Sequence, residues 1–264
     1  MNGPQLAAGF FLALLVAGLA YSARALSVSG SLAAIGVGTL TFGIGGMVPA
    51  ILLLLFFISS SALSRAGGSR KRAFAAAFAK GGRRDYAQVL ANGLLAAVFA
   101  ALYGLTSRAG WLAALTGALA AVNADTWATE IGVLAGRRPR LILDGAEVEV
   151  GTSGAVSTVG VTAAAGGAAL IAVTAGAFVG DGRMIVAAIV GGMGGALFDS
   201  LLGATVQAIY RCPRCDKETE RHPRHTCGET TVLVRGWAWL GNDGVNFAAS
   251  AAGAALSVLL WRLF

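Results

Sequence analysis

Eight apolar stretches divide this chain, at residues 5–23, 28–44, 46–64, 85–106, 110–135, 155–180, 183–210 and 243–263, and nearly all the charge lies between them. A helix crossing the hydrocarbon core of a bilayer needs about 20 residues. It also satisfies its own backbone N–H and C=O groups, which an open strand in lipid does not. The pattern predicts an all-α fold, a polytopic transmembrane bundle of about seven to eight helices forming a single integral membrane domain over 1–264. The second stretch is rich in glycine and fits either a crossing or a re-entrant segment. Composition agrees, since only 12% of the 264 residues are charged, about half the share of an average soluble domain. The 38 glycines suit closely packed membrane helices rather than a disordered chain. No Lys or Arg precedes the first apolar run, MNGPQLAAGFF, so that run is expected to be a retained span rather than a cleaved signal.

The net charge of +7 reports topology rather than nucleic-acid binding, because the cations sit in loops flanking the apolar stretches. The connection between the third and fourth stretches carries Arg65, Arg70, Lys71, Arg72, Lys80, Arg83 and Arg84, which places it in the cytoplasm of a multi-pass cell-membrane protein. By alternation 136–154 and 211–242 are cytoplasmic too, and the turns near Arg108 and Asp181 face out. The N-terminus is then outside; if 28–44 does not cross, only the N-terminus changes side. There is no internal repeat and no soluble domain able to fold alone.

Ionisable residues inside a membrane are costly and therefore point to function or pairing. The fifth stretch contains NADTWATEIG, with Asn123, Asp125 and Glu130 toward its cytoplasmic end. Asp199 and Ser200 lie at the inner end of the seventh, Asn242, Asp243 and Asn246 open the eighth, and GTSGAVS, Gly151 to Ser157, opens the sixth. Four dispersed motifs are thus expected at one depth. On a helix Asp125 and Thr129 share a face at i, i+4, whereas the carboxylates of Asp125 and Glu130, five apart, diverge. A hard cation such as Mg²⁺ binds through one or two carboxylates plus substrate phosphates, so Asp125 is the expected metal carboxylate, with Asp199 or Asp243 as the second. Glu130 fits a ligand, an acid/base group or a partner for a loop arginine. Buried polar residues also tie helices together without other purpose, a reading that weakens as clusters converge.

GTSGAVS is a hydroxyl-bearing turn into a helix, where free N–H groups and the helix dipole favour phosphate. It lacks the Gly-Lys-Ser/Thr ending of a Walker A loop, and its Ser and Thr also suit helix capping. Arg137, Arg138 and Arg140 supply positive charge nearby, as phosphate partners or topological anchors. In GGMGGALFDSLLGA, Gly191, Gly195, Asp199 and Gly203 recur every four residues and make a stripe for close helix approach. The loop at 211–230, between the last two helices, holds Cys212, Cys215, His222, His225 and Cys227. Cys212, Cys215, His225 and Cys227 have the ligand types of a structural Cys₃His zinc site; reduced cytosolic thiols without metal are the alternative. Arg235, Trp237 and Trp239 read as an interfacial anchor.

NADTWATEIG, PRLIL, GTSGAVS, FDSLLGATVQ, the CPRC and HTCG loop and NDGVN, in that order over residues 30–260, resemble the motifs of the DUF92 family of integral membrane proteins. The plant member of that family is known as a phytyl-phosphate kinase of tocopherol synthesis. The resemblance implies phosphorylation of a prenyl monophosphate to the diphosphate by CTP or another nucleoside triphosphate. The Asp125 segment followed by a Gly-Thr loop is more remotely similar to CTP-dependent polyprenol kinases and CDP-diacylglycerol synthases, which carry Lys-Thr-x-Glu-Gly where this chain has GTSG. On that footing Asp125, Asp199 and Asp243 hold Mg²⁺ and, with Glu130, form the catalytic set. Asn123, Thr129, Arg138, Arg140, Gly151, Thr152, Ser153, Gly154, Ser157, Ser200, Asn242 and Asn246 contact nucleotide or substrate.

The expected partners are a nucleoside triphosphate, a prenyl phosphate lipid and the membrane, with no nucleic acid and with a homo-oligomer left open. A prenol kinase or a lipid cytidylyltransferase fits the same residues. An ion-coupled transporter is the reading from another class, since intramembrane Asp and Asn also mark transport pathways; a scaffold is a third.

Overall fold

The computed structural model describes residues 3–66 and 82–264, so Arg70, Lys71, Arg72 and Lys80 of the basic connection lie outside the described residues. Among the described residues eight helices form one bundle: α1 (Gly3–Ser22), α2 (Val28–Gly43), α3 (Met47–Arg65), α4 (Tyr86–Thr106), α5 (Ala109–Ala135), α6 (Thr158–Val179), α7 (Gly182–Thr205) and α8 (Asn242–Leu263). Six of them are long and apolar enough to cross a membrane. The 16 residues of α2 span about 24 Å at 1.5 Å per residue, less than the full hydrocarbon thickness. The architecture is the polytopic helical bundle expected from the apolar pattern.

The remaining helix, α5, lies at the centre. Every residue from Leu112 to Ala124 is buried, so α5 is covered on all sides, as a helix inside a bundle must be. It packs against α3, α4, α6, α7 and α8. Small side chains permit this density. A Cβ added at Gly117 would lie 2.5 Å from the Gly253 carbonyl oxygen, and one at Gly253 would lie 2.6 Å from the Ala121 Cβ. The stripe on α7 does the same, because a Cβ at Gly195 would sit 2.5 Å from the Ala121 Cβ. α5, α7 and α8 therefore meet nearly backbone to backbone.

Local chemistry sets the helix ends. Asp85 and Gln88 form a reciprocal capping box at the start of α4, with contacts of 3.0 and 3.2 Å. Ser157 caps α6 by accepting from the Gly160 amide at 3.0 Å. Two apolar stretches are only partly helical. The sixth begins with β2 (Ala155–Val156), paired with β1 (Arg140–Leu141), and the seventh runs past α7 into β3 (Ile209–Cys212). Ile209 and Tyr210 remain buried, so the apolar run continues after the helix has stopped. β3 is the centre of a three-stranded antiparallel sheet with β4 (Lys217–Thr219) and β5 (Val232–Arg235), which gives the Cys/His loop a framework of its own.

Replacing Gly253 with alanine is expected to cost about 1–3 kcal/mol through overpacking. At Gly36, where nothing lies within 4 Å of an added Cβ, alanine is expected to be neutral or slightly stabilising. Thermal unfolding of the detergent-solubilised chain, followed by tryptophan fluorescence, compares the two; equal midpoints would contradict the backbone contact.

Candidate functional site

A cavity of about 780 Å³ opens at one end of the bundle, a size suited to a nucleotide-sized ligand. α5 and α7 reach it with their C-terminal halves, α6 and α8 with their N-termini, and the sheet loop closes part of it. Each of the four polar motifs contributes. Asp125, Thr129 and Glu130 come from α5, Gly151 to Ser157 from the turn before α6, Asp199 and Ser200 from α7, and Asn242, Asp243 and Asn246 from α8.

Asp125 and Asp199, on different helices, stand within electrostatic reach of each other. Both also feel a third carboxylate, Glu220, which follows β4. Oδ2 of Asp199 is buried and has no hydrogen-bond partner among the described residues. A buried carboxylate oxygen without a donor is costly, and a cation would satisfy it. These oxygens do not close into a cage, since the only compact group of three or more metal-ligating side chains among the described residues lies in the Cys/His loop. That suits Mg²⁺ arriving with phosphates and water, which it prefers to an all-protein site. Asp243 lies in the first turn of α8, where a carboxylate also stabilises the helix N-terminus.

The glycine-rich turn is held against α7. Gly154 has φ +83° and no room for a side chain, since an added Cβ would lie 2.4 Å from the Ala204 nitrogen. The Ser153 hydroxyl donates to Gln207 Oε1 at 3.0 Å, and the Gln207 amide donates to Glu220 Oε1 at 2.8 Å. Thus the turn, the end of α7 and the sheet loop form one polar chain. The amides of Thr152 and Ala155 close turns onto Glu149 and Thr152; Ser157 is engaged as the α6 cap. α6 and α8 thereby direct two helix N-termini toward the cavity, and Gly241 supplies no side-chain cap to α8. Such termini favour anions.

Other expected residues lie elsewhere. Asn123 is fully buried and away from the cavity. Its Oδ1 accepts from Ser59 and Ser60, each at 3.1 Å, and its Nδ2 donates to the Gly167 carbonyl at 2.8 Å. It is a tie between α3, α5 and α6 with both ends occupied, so it has nothing left for a ligand. Arg140 reaches Gly145 and Glu147 at 2.9 and 3.1 Å on the surface, and neither it nor Arg138 lines the cavity. Arg137 does. Glu130 accepts from Ser64 and lies within electrostatic reach of the Arg84 guanidinium. Sequence reasoning missed Arg84, Gln88, Asn92, Glu220 and Arg221, all of which line the cavity. Of these only Arg84 carried a signal, its place in the basic connection.

The sulfurs of Cys212, Cys215 and Cys227 and a ring nitrogen of His225 all lie within 4.8 Å of one another. Cys212 and Cys227 are 3.5 Å apart, and His225 Nδ1 is 3.3 Å from Cys227, close to the roughly 3.8 Å edge of a tetrahedron built on ~2.3 Å zinc–sulfur bonds. His225 draws the Cys227 thiol down to about 6, and contact with Cys227 pushes Cys215 up to about 11. The four residues fit a structural metal. His222 is not among them; it stacks on Tyr210 with centroids 4.4 Å apart. Cys212 ends β3, and Glu220 follows β4 directly, so the cluster sits in the same sheet that carries Glu220 to the cavity.

Comparison with known proteins gives a consistent answer. The profile of the family described as integral membrane protein DUF92 matches residues 11–254. Protein PGR of Arabidopsis thaliana is 31% identical over 263 residues, covering 89% of this chain and 88% of its own length. An uncharacterized membrane protein of Methanocaldococcus jannaschii is 38% identical over 124 residues, covering 46% of this chain and 50% of its own. No solved structure matches.

Metal analysis of the purified chain is expected to find about one zinc or similar ion per molecule, lost in Cys212→Ser and in Cys227→Ser. A metal-free wild-type chain that keeps its sheet would contradict the structural role.

Proposed function

Since the chain belongs to the DUF92 family of integral membrane proteins, we propose that it is a membrane enzyme. It transfers a phosphoryl group from CTP or another nucleoside triphosphate to a prenyl monophosphate, giving the diphosphate. The observation that carries this reading is the convergence of Asp125, Asp199 and the GTSG turn on one cavity, with a buried Asp199 oxygen that lacks a donor. The motif resemblance supplies the reaction class.

Phosphoryl transfer depends mainly on positioning and on neutralising charge. Asp125 and Asp199 would hold Mg²⁺, with Asp243 and Glu220 lining the same cavity, and when bound the ion would supply charge neutralisation for the nucleotide phosphates. The GTSG turn, the two helix N-termini and Arg137 and Arg221 face the same space and orient the anionic chain. A phosphate oxygen of the acceptor attacks the γ-phosphorus, the bond from the γ-phosphorus to the β,γ-bridging oxygen breaks, and the nucleoside diphosphate leaves. The acceptor is already ionised near neutral pH, so no strong base is needed. The cavity opens on the cytoplasmic side in this reading. Arg65, Arg83, Arg84 and Arg137 lie at its end of the bundle, while among the described residues the opposite end has only Arg108, Arg183 and Arg262.

Purified protein supplied with Mg²⁺, CTP and geranylgeranyl monophosphate is expected to form the diphosphate and CDP. Asp125→Asn and Asp199→Asn are expected to lower kcat by about 100-fold or more while keeping the wild-type size-exclusion profile. Release of pyrophosphate would indicate cytidylyl transfer instead, and full activity in Asp125→Asn would sink the metal role.

A further inference from the structure

A second cavity, of about 100 Å³ and almost wholly apolar, lies among α1, α2, α3 and α4, walled by residues such as Val16, Ala34, Val37, Leu53 and Phe57. Three of its lining residues, Arg84, Gln88 and Asn92, also line the large polar cavity. The two spaces therefore share a polar wall. From that wall the apolar cavity runs into the membrane-spanning part of the bundle. Along α2 it extends from Ala34 to Phe42, about 12 Å of helix.

Arg84 is held at this boundary. Its amide donates to the Ala25 carbonyl at 2.9 Å, and its carbonyl accepts from Ser27 at 3.0 Å. Its guanidinium lies 5.6 and 5.4 Å from the ring centroids of Phe56 and Phe57, with Glu130 within electrostatic reach. A cation is thus fixed where apolar space meets polar space, the arrangement that an anionic head with an apolar tail requires. The width limits the tail. Gly93 faces Val37, where an added Cβ would lie 3.2 Å from Cγ1, and Gly38 faces Ala13, where one would lie 2.9 Å from Cβ. At about 100 Å³ the space is smaller than the ~150 Å³ cavity that takes one benzene ring, so it holds about one isoprene unit of a single chain.

We propose that the α1–α4 cavity takes the head-proximal part of the single apolar tail of the acceptor lipid, with its phosphate at Arg84, Gln88 and Asn92. This rests on the lipid-monophosphate reading above. The acceptor enters from α1–α4 and the nucleotide occupies the side walled by α5, α7 and α8, so the two phosphates meet across the shared wall. The first unit of the tail then lies in α1–α4, on the other side of the shared wall from Asp125 and Asp199.

The test is equilibrium binding of tritiated one-, two- and four-isoprene monophosphates to the full chain in nanodiscs, without nucleotide. Ala34→Phe, which fills the cavity, is compared with wild type in the same lipid so that partitioning cancels. Each buried methylene is worth roughly fourfold in affinity. The cavity holds the head-proximal unit that all three ligands share, so each is expected to lose about tenfold or more in Ala34→Phe. A parallel measurement on wild type needs no substitution. A geranylgeranyl monophosphate with a diazirine on its first isoprene unit is expected to label α2 or α3. Labelling confined to α6 and α7, or unchanged affinity in a folded Ala34→Phe, overturns the proposal. Loss of affinity in Ala34→Phe without any phosphoryl transfer by the wild type would leave the tail site standing and sink the kinase reading alone.

Discussion

A helix bearing Asp125 and Glu130 can cross a bilayer only if other helices cover it, and the bundle is arranged around that requirement. α5 is the best-buried helix of the described chain, and lipid touches its neighbours instead. Burial on every side demands partners that approach closely, which explains the alanine and glycine on α5, α7 and α8. Asn123 adds direction to this packing, since its hydrogen bonds to α3 and α6 are available in one rotational setting of α5. With α5 locked in that setting, Asp125 and Thr129 face the cavity at the end of the bundle.

The loop between α7 and α8 completes the site from outside the bundle. A short segment with few apolar residues does not hold a defined shape by burial alone, and the cluster of Cys212, Cys215, His225 and Cys227 could supply cross-links through a metal ion. The resulting sheet carries Glu220 back over the carboxylates of α5 and α7. Glu220 is tied to Gln207, and Gln207 to Ser153, so the metal-capable loop and the glycine-rich turn share one polar chain.

Much of this was legible in the sequence. Helices announce themselves through apolar length, and the four polar motifs share one end because alternation of spans places them there. The Cys/His ligand set, including His225 rather than His222, followed from the pairing of His225 with Cys227. What escaped were residues whose role depends on tertiary direction. Asn123 and Asp125 are two positions apart, yet one faces a helix interface and the other the cavity; the rotation that decides this is set by α3 and α6. Glu220 lies in a loop with no periodicity among other acidic residues, and only the sheet register aims it inward. Arg84 was counted as a topological anchor, although its guanidinium sits by the Phe56 and Phe57 rings, between two cavities. Arg138 and Arg140 made the opposite shift, from expected phosphate partners to surface residues.

The most direct measurement is a structure of the nanodisc-embedded chain with Mg²⁺ and a non-hydrolysable CTP analogue. The triphosphate is expected against Gly151 to Gly154, with a metal about 2.0–2.1 Å from a carboxylate oxygen of Asp125 or Asp199. A nucleotide bound outside the cavity, or a metal touching neither aspartate, would contradict the site described here.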